Sequence, residues 1–200
     1  MTNKTHLIPP HGGYRHLKSY QSAEIVFDLT KIFCQRFLNP SNSSYSSHSS
    51  YRQIDQMIQA ARSGKQNIAE GSTASGTSKK TELKLLGVAR ASLEELLVDF
   101  EDFLRNNEIK KWEKNRSVVQ EIRSLAYRSN RSYRTYMTYF KNPESAANAL
   151  ICLIHQSNYL LDRQLKALEQ NFLKEGGFTE RLYRERTMIR NRSYRSHKSY

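Results

Sequence analysis

Only two of the 200 residues are cysteine, four are proline and one is tryptophan, and no apolar run approaches the roughly 18 residues a membrane-spanning helix needs. Cys34 and Cys152 have neither CxxC spacing nor a histidine at ligand distance, so the expectation is two buried thiols rather than a disulfide or a metal site. The histidines at 6, 11, 16, 48, 155 and 197 form no HxxxH pair and give no zinc pattern. No cofactor and no metal is expected. The opening MTNKTHLIPPHGGYRHLKSY lacks the basic-then-apolar order of a secretory leader, which sets the expectation of a cytoplasmic protein. Strand-period alternation is absent too. What is present is a polar composition, 38% hydrophobic and 26% charged with a mean hydropathy of −0.75, in which Leu, Ile and Phe nevertheless recur at regular spacing. That regularity argues against a disordered chain and for one domain with a tail.

The formal charge of +13 is unevenly placed. Residues 1–104 carry 12 basic and 10 acidic groups, 105–141 carry 10 and 3, 142–180 carry 3 and 5, and 181–200 carry 7 and 1. A solvated helix face mixes its signs, so this segregation points to a polyanion: nucleic acid first, an acidic protein second, anionic lipid a distant third.

Helical periodicity dominates the pattern. A first helix is expected over 17–38, ending at Asn39-Pro40, and a Ser-rich connection follows at 41–50. A second helix starts near Tyr51 and is expected to stop at Glu70-Gly71, because glycine takes the left-handed conformation of a helix stop at little cost. Thr77 or Ser78 is placed to cap a third helix from Lys79 to about Asn106. Leu86, Ala89, Leu93, Leu96, Phe100 and Phe103 step along it by three and four, a coiled-coil-like seam. A fourth helical stretch carries Val118, Ile122 and Leu125 and leads into the Tyr/Arg-rich segment 127–140. A fifth seam runs through Leu150, Ile154, Ser157, Leu161, Gln164 and Leu168 to Gly176-Gly177, and a short helix to about 192 precedes a basic, aromatic tail. The expected fold class is all-α, an up-down helical bundle with a C-terminal appendage.

Ala61-Arg62, Asn67-Ile68-Ala69-Glu70-Gly71, Ser78-Lys79-Lys80 and Ala89 to Leu96 (ARASLEEL), together with the opening GGYRHLKSYQSAEIVFDLTKIF at 12–33, carry a family resemblance. The chain resembles the four-helix-bundle proteins first noticed as reading frames within intervening sequences of bacterial large-subunit ribosomal RNA. The accessory variability determinant of diversity-generating retroelements belongs to the same family. The resemblance implies an up-down four-helix protomer, a homopentameric barrel with a basic surface, and a role in binding nucleic acid or a reverse transcriptase. On that basis 1–141 is expected to hold the four-helix core with its insert at 41–50. Residues 142–177 would form a seam helix that packs on or completes the bundle, and 178–200 a basic Arg/Tyr-rich suffix. The Ser-rich insert and the residues after about 142 depart from the short members of the family and bear on whether its assembly face stays open.

Candidate ligand-binding residues follow from the charge map. Arg181, Arg184, Arg186, Arg190, Arg192, Arg195 and Lys198, interleaved with Tyr183, Tyr194 and Tyr200, make the densest cluster. Arg128, Arg131 and Arg134 alternate with Tyr127, Tyr133, Tyr136 and Tyr139, guanidinium forks beside rings suited to stacking on unpaired bases, or alternatively rings packed between helices. Lys79, Lys80 and Lys84 lie in the first turns of a helix, where the macrodipole disfavours cations; phosphate contact and plain solubility are both open for them. Asn67 and Glu70 read as residues that bond loop backbone or the first turn of the third helix before they read as a site, and Glu94, Glu95, Asp99, Glu101 and Asp102 as a face that is solvated or paired with basic neighbours. No nucleophile, acid and base converge, so an enzyme is not expected. The expected function is a homo-oligomeric, nucleic-acid-binding protein with RNA favoured, and the alternative is a scaffold docking an acidic partner or a retroelement reverse transcriptase.

Overall fold

The computed structural model describes residues 8, 11–38, 48–128 and 130–197. Most of the Ser-rich connection (41–47) and Lys198 lie outside the described residues, as do the side chains of Arg192 and Arg195. The described residues are helical with no strand. The helices are α1 (Lys18–Phe33), continued by a π-helical turn (Cys34–Leu38), then α2 (His48–Ala74), α3 (Lys79–Asn106), α4 (Ser117–Leu125), α5 (Pro143–Glu175) and α6 (Phe178–His197).

Local chemistry sets several of these bounds. Ser78, in extended backbone, accepts from the Thr81 amide through Oγ at 3.2 Å and starts α3 at the expected residue. Asn142 Oδ1 accepts from the Ser145 amide at 2.8 Å and Pro143 occupies the first turn, which starts α5. Gly176, at φ 73°, ends it. Helix α2 corrects the expectation for Gly71, since it runs through that residue to Ala74. A Cβ at Gly71 would lie 3.4 Å from the Glu82 carbonyl and from Leu85 Cβ, so this glycine serves a close approach of two helices rather than a turn. Helix α6 extends to His197, five residues beyond its expected end.

Helices α1, α2, α3 and α5 lie side by side, with α2 on α3, α3 on α5, α5 on α1 and α1 on α2. Polar pairs give the directions. Ser63 Oγ meets Ser92 Oγ at 2.8 Å while Gly71 faces Leu85, so α2 and α3 are antiparallel. Ser22 Oγ meets Ser157 Oγ at 2.7 Å and Ser19 donates to Gln164 at 2.6 Å, so α1 and α5 are antiparallel as well. The α3 seam is fully enclosed from Leu86 to Phe100 and nearly so at Phe103, and Phe33 of α1 reaches across the core to stack edge-on against Phe100 and Phe103, each with ring centroids 5.1 Å away.

The shorter elements are tied to this frame. Buried Asn148 of α5 accepts from the Trp112 amide at 2.7 Å and donates to the Lys110 carbonyl at 3.3 Å, fixing the 107–116 connection. Helix α4 packs on α5, and the 3₁₀ turn Tyr133–Tyr139 packs on α1 and α5. Ahead of α1, the Gly12 amide donates to the Ser72 carbonyl at 3.0 Å and Ser72 Oγ donates back to the Gly12 carbonyl at 2.9 Å. Gly12 and Gly13 take φ of 81° and 71° there, a backbone that L side chains rarely adopt.

A Cβ at Gly64 would lie 2.8 Å from Leu93 Cδ2 and Cγ, whereas one at Gly87 would meet nothing within 4 Å. Leu93→Ala should cost about 2–5 kcal/mol in chemical denaturation. Gly64→Ala in that background should cost at least about 0.5 kcal/mol less than it does in the parent, because the truncated leucine makes room for it. Gly87→Ala should add about 0.5–1 kcal/mol. Additive Gly64 and Leu93 effects would refute this account of the α2–α3 contact.

Candidate nucleic-acid interface

Two clefts gather the candidate cations. The first, of about 570 Å³, lies where the end of α5 turns into α6 beside the start of α3, and its walls include Lys79, Lys174, Arg181, Arg184 and Met188. Residues 79 and 181–184, remote in sequence, thus share one surface. Lys79 also binds Glu82 at 2.9 Å, and because Glu82 is buried this pair explains a lysine in the first turn without a ligand. Lys80 and Lys84 are exposed. Arg184 donates through Nη2 to the Glu175 carbonyl at 2.6 Å, closing the last turn of α5 onto α6. Beyond that joint α6 is solvent-facing, with Arg184, Arg186 and Arg190 exposed beside Tyr183, Met188 and Ile189.

The second cleft, of about 510 Å³, lies between the N-terminal half of α1 and the 126–133 segment. Arg128 and Arg131 line it together with Arg15 and Lys18, two cations not singled out from the sequence. No sequence signal joins 15–18 to 128–131, since the proximity exists only once the chain folds back along α1. Arg134 is exposed outside it.

The tyrosines of 127–140 divide by burial. Tyr136 is fully buried, which decides for it between the two readings the sequence leaves open in favour of packing, and Tyr133 and Tyr139 are half-buried against the core. Tyr127 is 89% exposed, and Tyr183 on α6 is 70% exposed. Burial and a hydrogen bond to Glu121 push the Tyr139 phenol up to about 12. Asn67 donates to the Ser63 carbonyl at 2.9 Å and to Ser63 Oγ at 3.2 Å, so it supports the α2–α3 contact rather than the following loop.

Acidic residues on α3 are largely engaged. Glu94 takes hydrogen bonds from Arg90 and Asn158, Glu101 pairs with Lys111, and Asp102 pairs with Arg105 at 2.8 Å. Glu95 and Asp99 are the exceptions, and burial, then Glu95 and Asp102, push the Asp99 carboxyl up to about 6. Cys34 and Cys152 are both free, the first buried and the second half-buried, and burial pushes their thiols up to about 12 and about 11. Among the described residues no group of three His, Cys, Asp or Glu lies close enough to hold a metal ion, and no helix is long and apolar enough to cross a membrane.

Compared with family models, curated proteins and solved structures, the chain matches none of them.

The raised Asp99 carboxyl means that its contribution to stability is complete below the ordinary carboxylate range near pH 3.8 and is lost as pH rises through about 6. Asp99→Asn should therefore raise the melting temperature at pH 7.5 and leave it nearly unchanged at pH 4; an equal effect at both would show that charge is not the cause. Both cysteines should react with a disulfide reagent at pH 8 far more slowly in the folded chain than after denaturation. Rapid labelling of the native chain would contradict their burial.

Proposed function

We propose that this protein is a non-enzymatic nucleic-acid-binding protein, with RNA as its favoured ligand, that presents arginine-rich segments from an up-down four-helix bundle with a C-terminal helical suffix. The observation that carries the reading is the concentration of arginine in two segments, at 128, 131 and 134 and at 181, 184, 186 and 190. Lys79, Arg90, Arg105, Lys110 and Lys111 pair with carboxylates. Among the described residues, none of Arg128, Arg131, Arg134, Arg181, Arg184, Arg186 and Arg190 has a carboxylate within 4.0 Å. Guanidinium groups in this number, among which Arg184 donates to the Glu175 carbonyl and Arg134 to Tyr133, with Tyr127 and Tyr183 exposed beside them, suit phosphates and unpaired bases. Arg192, Arg195 and Lys198 extend the same run in sequence.

In this reading the protein is a cytoplasmic member of the family of ribosomal-RNA intervening-sequence proteins and retroelement accessory determinants that its motifs resemble. Homo-oligomerisation, with a pentamer favoured by that resemblance, would make the basic surface multivalent. A second reading is favoured by the exposed apolar side chains on and before α6: Leu173, Tyr183, Met188 and Ile189 are 51–77% exposed and suit a protein partner, such as a reverse transcriptase, better than they suit a nucleic acid.

Removing residues 181–200 should lower the magnitude of the slope of log affinity against log salt by roughly 0.7–0.9 per lost phosphate contact, for every RNA sequence tested. Unaltered affinity and slope after the deletion would favour the scaffold reading, as would purification of the protein from its native cell with a protein partner and no nucleic acid.

A further inference from the structure

We infer that the cleft between α1 and the 126–133 segment is a phosphate-monoester pocket. Resting on the nucleic-acid reading above, its occupant is the terminal phosphate of a single strand. Arg131 is half-buried in the cleft wall, and its Nη1 is fully buried without a hydrogen-bond partner among the described residues. A buried guanidinium N–H with no acceptor is costly, and the Arg131 side chain, which lines the cleft, gains charge-assisted hydrogen bonds if it turns toward an anion held there. The backbone sets this up at Asn130, whose φ of 60° turns the chain so that Arg131 follows directly into the wall; asparagine tolerates that conformation better than most residues.

The charge count selects the kind of anion. Arg15, Lys18, Arg128 and Arg131 share the cleft with two carboxylates, Glu24 and Asp28, leaving a formal surplus of two positive charges. Neither carboxylate lies within 4.0 Å of any of those four cations. Glu24 accepts from Tyr20 Oη at 3.3 Å, and burial, then Glu24, push the Asp28 carboxyl up against the smaller opposing effects of Lys65 and Lys31. A phosphate monoester carries about −1.5 to −2 at neutral pH and matches the surplus. The volume of about 510 Å³ holds a single nucleotide with room for water, and the exposed ring of Tyr127 stands in the wall for a terminal base to stack on.

Fluorescence anisotropy with the full chain tests this by comparing a short single-stranded RNA with a phosphate at its 5′ end, the same RNA phosphorylated at its 3′ end, and the form with two terminal hydroxyls. One phosphorylated form should bind at least about tenfold tighter than the hydroxyl form. Arg131→Gln should abolish that advantage, whereas Arg186→Gln on α6 should weaken all three RNAs alike. A melting temperature at or above the parent's confirms that Arg131→Gln folds; should it fail, Arg15→Gln with Lys18→Gln takes its place. Titration calorimetry with adenosine 5′-monophosphate and with inorganic phosphate supplies the second arm. Binding of either, lost in Arg131→Gln, without a terminal-phosphate advantage in RNA would support the pocket and make free phosphate compounds its source. Equal affinity for the three RNAs with no heat from either small probe overturns the pocket and leaves the nucleic-acid reading standing. RNA binding absent altogether, with the small probes still bound through Arg131, overturns the nucleic-acid reading and supports the pocket.

Discussion

Helix α3 presents buried side chains at 86, 89, 93, 96, 97, 100, 103 and 104, a stripe too wide for one neighbouring helix to cover. Twenty-eight residues at about 1.5 Å each make it roughly 40 Å long, so its partners must be long as well. Helix α2 covers one flank and α5 the other, and α1 bridges the two on the far side, its Phe33 reaching Phe100 and Phe103. Every other element sits where this requirement leaves it. Helix α4 and the 3₁₀ turn at Tyr133–Tyr139 are accommodated on the outside of α5 and α1, and α6 departs from the frame once α5 has ended.

Apolar seams stepping by three and four permit neighbouring helices to slide by a turn at modest cost, so something else must set their register. Small polar pairs between helices meet that need: Ser63 with Ser92, Ser22 with Ser157, and Ser19 with Gln164. Displacement by one turn would break these bonds between helices, and Ser22, almost wholly enclosed, would lose its Ser157 partner. Glycine adds a steric key, because Leu93 fits beside α2 only where Gly64 lacks a side chain. Hydrophobic burial supplies the drive to associate, and the serines and glycines choose one alignment.

The features legible in the sequence were those decided within a few residues. The start of α3 at Ser78, the Asn142-Pro143 start of α5, its end at Gly176, and the enclosed positions of the α3 seam and of the α5 seam as far as Leu161, beyond which Gln164 and Leu168 are half-buried, all follow from capping chemistry and helical period. At Gly71 the sequence is ambiguous, because a glycine beside a loop signals both a helix stop and a close helix crossing, and only the neighbour, Leu85 on another helix, distinguishes them. The burial of Tyr136 was open in the sequence for a related reason: alternating arginine and tyrosine fits a stacking surface and a packed turn equally, and the decision rests with α1 and α5. Arg15 and Lys18 carried no local signal. Their association with Arg128 and Arg131 depends on where a segment more than 100 residues later returns to α1.

Net charge of +13 opposes compaction by self-repulsion, and its placement reduces that opposition. The stretches holding α1–α3 and most of α5 are near balance, with 12 basic against 10 acidic groups in 1–104 and 3 against 5 in 142–180. The excess lies in 105–141 and 181–200; of these, α4 and the Tyr133–Tyr139 turn pack against α5 and α1, and the described part of the second, in α6, follows the end of α5. Repulsion among those arginines therefore falls mainly on solvated surface, where salt screens it over about 10 Å, and not on the seams that hold the fold. The same separation allows the arginine segments to change partners or charge without loosening the core. Arg131 is the point where the two requirements meet, a surplus cation whose head has been drawn into the protein, and there the cost of leaving it unpaired is borne by the folded structure itself.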